Sequence, residues 1–325
     1  MNIAFAGFRH DHIFGLYNSA LAEAGVSVFG AFEEDDAARA AAEEKGVAFT
    51  YPTYRALLDD AAVEIVAVGD YYGIRGRRVI EALKAGKHVI CDKPLCTSLS
   101  ELDEIERLVA EKGLKVCVML DLRYLPQVEK ARGIIAAGEL GNILNASFTG
   151  QHCLNYGKRP HWYFEAGKHG GTINDIAVHG IDLLRFLTGK NLTEVTFAET
   201  WNAFADKEPQ FEDCARFAVK MGDMAVTADV SYAAPKCKTP LPTYWRFTLW
   251  GTRGMMEFGY ASPELRVYRE TEEVFDCPAR KVDLLRDFLA EIAGEAPTAV
   301  NTADMLASQR QTLLIQAAAD RGKKF

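Results

Sequence analysis

No apolar run in this chain approaches the roughly 20 residues that a membrane-spanning helix needs, so no membrane partner is expected. Positive charge is the minority sign. Lys and Arg number 37 against 45 Asp and Glu, a formal net charge of -8, where a nucleic-acid or anionic-lipid surface would call for the opposite balance. The seven cysteines form no CxxC pair and are odd in number, which points to reduced thiols rather than a disulfide framework. The opening MNIAFAGFRHDH lacks the basic start and long apolar stretch of a secretory signal, so a cytoplasmic location is expected. Internal repeats, low-complexity tracts and long linkers are absent as well. No HExxH is found, and the pair His10-x-His12 offers two ligands where zinc takes three or more from protein. The expectation is therefore no metal centre.

What is present suffices for two domains. The chain has 325 residues, and 49% of them are hydrophobic, enough to build a core in each of two units of ~100–200 residues. Over the first 120 residues strands alternate with helices. Strands are read at 2–7, 27–33, 63–69, 88–91 and 114–120, and helices from Gly15, over 36–45, 77–85 and 98–112. That alternation predicts a parallel, doubly wound α/β sheet of the Rossmann type. From residue 121 the pattern changes. Short, aromatic and β-branched segments recur at 143–150, 192–201, 211–221, 224–232, 244–251 and 265–270 without intervening helices. They predict an α+β second domain, residues 121–325, with a mainly antiparallel open sheet. A closing helix is read at 302–321.

In a doubly wound sheet ligands bind outside the carboxyl ends of the strands. Gly7, Glu33, Gly69 and the Asp92-Lys93-Pro94 turn all fall at such ends. The dinucleotide fingerprint G-x-G-x-x-G is incomplete: Gly7 is present, but Arg9 and His12 stand where the second and third glycines belong. The first glycine still permits the tight turn, Arg9 brings a positive charge, and a helix N-terminus follows to favour an anion. Glu33, twenty-one residues past His12, is placed to accept from a ribose 2′-hydroxyl, and Glu34, Asp35 and Asp36 beside it would repel a 2′-phosphate. The cofactor expected is NAD in preference to NADP, held by Gly7, Phe8, Arg9, His12, Glu33, Gly69, Asp70, Asp92 and Lys93. The plainer alternative is acids that decorate a helix start.

Two further stretches carry chemistry. In CDKPL (91–95) a lysine precedes proline on a stiff strand-end turn, where its ammonium can polarise a hydroxyl. In GGTINDIAVHGIDLLRFLTG (170–189) glycines bracket a helix that carries Asp175 and His179 four residues apart, hence on one face. A half-buried imidazole beside a carboxylate can serve as a general base near neutral pH. The competing reading makes Thr172-x-x-Asp175 a capping box and His179 a core histidine.

Together these stretches resemble the Gfo/Idh/MocA family, the relatives of glucose–fructose oxidoreductase and inositol dehydrogenase, over nearly the whole chain. ALKAGKHVICDKPL (82–95) looks like the family's A-x-x-A-G-K-H-V-x-x-E-K-P-L segment, with Asp92 for the usual glutamate. DLRYLP (121–126) and IIAAGELGNI (134–143) look like its R-F-x-P and I-x-x-G-x-I-G-x-I elements. The 170–189 stretch looks like its G-G-x-x-x-D-x-x-x-H helix. The resemblance implies an NAD(H)-dependent oxidoreductase acting on a secondary alcohol of a sugar, inositol or other polyhydroxy compound. Lys93 would contact the reacting oxygen, His179 would exchange the proton, and Asp175 would orient substrate or histidine. Arg123, from the DLRYLP element, is a substrate-binding candidate, and Asp182 is the helix's second, structural acid. A homodimer or homotetramer built on the exposed sheet face is implied too. The replaced glycine loop, Gly69 in place of a Thr-Pro pair and Arg75 in place of a histidine depart from the pattern. They keep open a catalytically silent nucleotide- or sugar-sensing regulator, or a lyase, isomerase or glycosidase that uses bound NAD transiently. In the loop GKRPHWYFEAGKHGG (157–171), His161 and Trp162 are further substrate-binding candidates, since a sugar site needs polar groups and an aromatic face.

Overall fold

A computed structural model describes residues 1–279, 284–295 and 299–322. The chain divides into two compact units. The first comprises residues 1–119, 160–170 and 283–310, and the second residues 120–159, 171–282 and 311–325. The expected boundary at 120/121 thus falls within one residue of the first division, but two later segments return to the first unit.

The first unit is built on five parallel strands: β1 Asn2–Ala6, β2 Ser27–Phe32, β3 Ile65–Val68, β4 His88–Cys91 and β5 Val116–Val118, in the order β2-β1-β3-β4-β5. The central strands read as apolar runs because helices cover both faces; all four residues of β3 are buried. The helices are α1 His12–Ala22, α2 Asp36–Glu43, α3 Tyr54–Asp59, α4 Tyr72–Lys84 and α5 Leu99–Lys112. Asp35 caps α2 by accepting from the Ala38 amide (2.8 Å), and Gly113, at φ +66, ends α5. The order reverses between β1 and β3, the switch point at which such sheets open a crevice. Helix α4 starts five residues before its expected start. The helix includes Gly73 and Gly76; a Cβ on Gly73 would overlap the carbonyl of Gly167, and one on Gly76 the Glu101 carboxylate. Close packing, not flexibility, selects glycine inside this helix.

The second unit holds an eight-stranded sheet in the order β13-β12-β11-β10-β6-β9-β8-β7. Its strands are β6 Ile143–Gln151, β7 Leu192–Trp201, β8 Cys214–Met221, β9 Met224–Ser231, β10 Arg246–Gly251, β11 Gly254–Gly259, β12 Ser262–Tyr268 and β13 Glu272–Asp276. Every pairing is antiparallel except β6 with β9. Strands β11 and β13 were not anticipated; both are short hairpin returns. Helix α6 spans Pro126–Ala136, and the 170–189 stretch forms one π-helical turn, Ile173–Ala177, that runs into α7, Val178–Thr188. Gly180 lets α7 lie directly on Phe148 of β6, where any Cβ would overlap the ring. Phe148, Phe247 and Phe258 stack in a row at centroid spacings of 5.8 and 5.3 Å. The first unit also includes α8, Leu284–Ile292, and the last helix, α9 Thr302–Arg321, divides between the units after Arg310.

Candidate functional site

In the first unit the crevice edge is assembled from strand ends. Gly7, at φ +84, follows β1, and a Cβ there would come within 2.7 Å of Asp70, so the β1 and β3 turns touch only because this residue is glycine. Glu33, at the end of β2, is 3% exposed. Its carboxylate accepts from the amides of Phe8 (2.6 Å) and Asp35 (2.9 Å) and from Arg9 Nε (3.1 Å). Burial pushes this carboxyl up; the two amides pull the other way. Arg9 also reaches Glu34 (3.0 Å) and Asp70 (3.4 Å), and Arg78 pairs with Asp70 and Glu34 at 3.0 Å each. The Phe8 side chain lies in an aromatic cluster with Phe5, Phe14 and Tyr17, so only its backbone faces the turn.

Arg75 shapes the turn that carries Lys93. Fully buried, it donates to the backbone carbonyls of Asp70 (2.7 Å), Asp92 (3.1 Å), Lys93 and Pro94 (3.2 Å) and to Asp92 Oδ2 (3.0 Å). Four of these five bonds hold the Asp92-Lys93-Pro94 corner, whose Lys93-Pro94 bond is cis. Lys93 is 6% exposed, and its ammonium stands 5.7 Å from the Tyr72 ring centre.

A second cluster surrounds His10, which sequence reasoning had weighed only as half of an H-x-H pair. Its Nδ1 bonds Asp92 Oδ2, and its Nε2 meets the hydroxyls of Tyr163 (3.0 Å) and Tyr72 (3.1 Å), themselves 2.6 Å apart. Burial drives the His10 imidazole down to about 4 against the pull of Asp92, so the ring is neutral at pH 7. Burial alone would raise the Asp92 carboxyl; His10 and Arg75 outweigh it and hold that group well below the usual carboxylate range. His12, its side chain about half exposed, reaches Asp92 Oδ1 at 3.2 Å. Trp162 stacks on Tyr163 (4.1 Å) and donates from Nε1 to the Arg9 carbonyl (3.1 Å). The segment 160–170 therefore packs on the crevice edge of its own unit, which explains its membership there. His161 is exposed and pairs with Glu165 at 3.3 Å.

In the second unit Asp175 is 2% exposed, and the Tyr232 hydroxyl donates to its Oδ2. Thr172 does not cap the helix; its hydroxyl goes to the Glu212 carbonyl. The capping-box reading is thus excluded. His179, one turn on and 7% exposed, has Nδ1 3.5 Å from Asp121 and lies edge to face with Trp245 at 5.6 Å. A π-helical turn at this point fits a functional helix, since such bulges collect at sites. Arg123 takes a different place from the one expected. It forms a two-pronged ion pair with Asp182 (2.7 and 2.5 Å), both side chains 1% exposed, and its guanidinium stacks over Phe186. It is an interior strut, and Asp182 is structural as read. Tyr72, Tyr232 and Trp245 escaped the sequence reading, and Tyr163 entered it only as a member of the 157–171 loop; aromatics scattered over long separations leave no local pattern.

The first unit has features that suit a dinucleotide. The Gly7 turn is intact, and no side chain caps α1, whose N-cap residue is Asp11; an uncapped helix start is where amides and dipole can receive an anion. Glu33 stands at the β2 end, though its first task is to order the 8–10 loop. These features define a two-domain protein with a Rossmann-type nucleotide unit. Residues 3–120 match the oxidoreductase family model described as an NAD-binding Rossmann fold, and residues 128–257 match the GFO/IDH/MocA C-terminal domain. The chain belongs to the Gfo/Idh/MocA family. It is 31% identical over 153 residues to levoglucosan dehydrogenase of Pseudarthrobacter phenanthrenivorans, covering 46% of this chain and 39% of the relative. It is 30% identical over 159 residues to 1,5-anhydro-D-fructose reductase of Ensifer adhaerens, covering 47% and 46%. The match thus spans about half or less of either relative. A putative oxidoreductase from Erwinia carotovora atroseptica shares the fold over 98% of both chains, with TM-score 0.88 and 24% identity. No helix among the described residues is long and apolar enough to cross a membrane.

Proposed function

We propose that this protein oxidises a secondary alcohol of a sugar, inositol or related polyhydroxy compound, or reduces the corresponding ketone, with NAD(H). The observation that carries the reading is the buried Asp175–Tyr232 pair one helical turn from His179, because it removes the capping role that competed for Asp175. Lys93 contacts the reacting oxygen, His179 takes its proton, and Asp175, oriented by Tyr232, positions the hydroxyl or the imidazole. When bound, NAD accepts the hydride that leaves the carbinol carbon. Gly7, Arg9, His12, Glu33, Gly69, Asp70 and Asp92 form its seat, with Glu33 selecting NAD over NADP. The relatives' sugar-derived substrates support the substrate class. Trp162 and His161 are kept as substrate-side residues. The second unit's sheet exposes Phe197 and Trp250, which supports pairing of copies into a homodimer or homotetramer. Seven free cysteines support a cytoplasmic location.

The test is calorimetric titration of nucleotide-free protein with NADH and NADPH, followed by a polyol and sugar screen read by nicotinamide absorbance. NADH should bind more tightly than NADPH. With a substrate in hand, Lys93→Ala and His179→Ala should each lower kcat by ~10²–10⁴ while NADH still binds. Failure of both nucleotides to bind would overturn the reading in favour of a sensor.

A further inference from the structure

The β1–α1 turn and the end of β4 place three donors around one point. His10 and His12 both present Nδ1 to the carboxylate of Asp92, and the three ligand atoms lie within 4.8 Å of one another. We propose that His10, His12 and Asp92 form a binding site for one divalent transition-metal cation of the zinc type. The site goes beyond the proposed alcohol oxidation and does not rest on it, although it shares His12 and Asp92 with the proposed nucleotide seat.

One of the three ligand spacings already matches what such an ion requires. Zinc bonds to imidazole nitrogen and carboxylate oxygen are about 2.0–2.2 Å long, which sets tetrahedral neighbours about 3.4 Å apart. His12 Nδ1 and Asp92 Oδ1 are already 3.2 Å apart. Two imidazoles and one carboxylate leave a coordination position for water or a substrate oxygen, the composition of open zinc sites. Nitrogen donors select zinc or cobalt over magnesium and calcium, which prefer oxygen alone.

The surroundings of His10 are those of a ligating histidine. A metal-bound imidazole turns its other nitrogen to a fixed hydrogen-bond partner, which sets tautomer and ring plane. His10 Nε2 has two, the hydroxyls of Tyr163 and Tyr72. With the proton on Nε2, a phenol oxygen accepts it and the Nδ1 lone pair faces the cation. With the proton on Nδ1, Asp92 accepts it and a phenol donates to Nε2. Both states are fully bonded, so the ring can exchange a carboxylate for a metal without stranding a buried polar atom. Arg75 grips Asp92 Oδ2 at 3.0 Å and fixes the carboxylate while leaving Oδ1 on the His12 side. Its charge tempers affinity for the ion, so the two histidines carry most of the binding. His12, about half exposed, gives the ion a path from solvent.

The test uses the full chain, stripped with chelator, without nicotinamide or sugar, so its failure is separate from failure of the proposed reaction. Cobalt(II) is titrated by visible absorption, and zinc by competition with a chromophoric chelator. One cobalt per chain with intense d–d bands is expected. His12→Ala, at a site exposed enough to leave folding intact, should weaken zinc binding at least ~100-fold, and His161→Ala should leave it unchanged. Uptake below about a tenth of an equivalent, or equal uptake by His12→Ala, overturns the site, as does loss of binding in His161→Ala.

Discussion

The two units handle buried charge in opposite ways. At the crevice edge of the first, Arg9, Arg75 and Arg78 are interleaved with Glu33, Asp70 and Asp92, and Arg75 and Glu33 bond backbone groups of turns contributed by different strands. In the second, the Arg123–Asp182 pair joins two side chains to one another, with Asp182 on the same helix as His179. A network that organises loops cannot be exchanged for apolar groups. A pair joined side chain to side chain often can, because its desolvation cost about offsets its attraction.

The largest test of that contrast removes one cation from each unit. Arg75→Met and Arg123→Leu should each lower stability by about 3–5 kcal/mol in urea unfolding, since each takes the guanidinium away from a buried carboxylate. The double replacements should then part company. Arg123→Leu with Asp182→Leu should return close to wild-type stability, whereas Arg75→Met with Asp92→Leu should not, because four carbonyls lose their donor as well. Equal recovery in both would erase the distinction.

A smaller effect sharpens the second unit's side. Tyr232→Phe deletes the hydroxyl that serves Asp175 and should cost about 1.5–3 kcal/mol, the range for a bond to a charged group, measurable as a lower urea midpoint at constant slope. An unchanged midpoint would mean that solvent serves Asp175 equally well.

The smallest effect belongs to the first unit and depends on pH. His88 Nδ1 accepts the Lys115 amide at 2.9 Å. Burial, with the Lys115 charge, holds its pKa below the ordinary value of 6.5. The unfolded chain therefore takes up the proton first, and stability falls as pH drops below about 6.5. The loss attached to this bond should be at most about 1 kcal/mol. His88→Gln, which keeps an acceptor but does not titrate, should flatten the profile between pH 7 and 5.5; an unchanged slope would assign the dependence to other groups.

Much of this was legible from the chain alone. Alternating apolar strands and helices over the first 120 residues specify a parallel sheet, because a strand buried on both faces must read as an apolar run. Glycine-bracketed helical periodicity placed Asp175 and His179 on one face, and Lys-Pro marked the β4 corner. These are local patterns, and local periodicity reports which face is buried. Only the tertiary structure decided what each buried polar group meets. It turned Arg123 inward to Asp182, made Arg75 the clasp of the Lys93 corner, and returned 160–170 to the first unit so that Trp162 and Tyr163 close over His10. It also joined Asp92 to His10 and His12 across some eighty residues. Such partnerships arise when separate strand ends converge, and sequence spacing carries no record of that convergence.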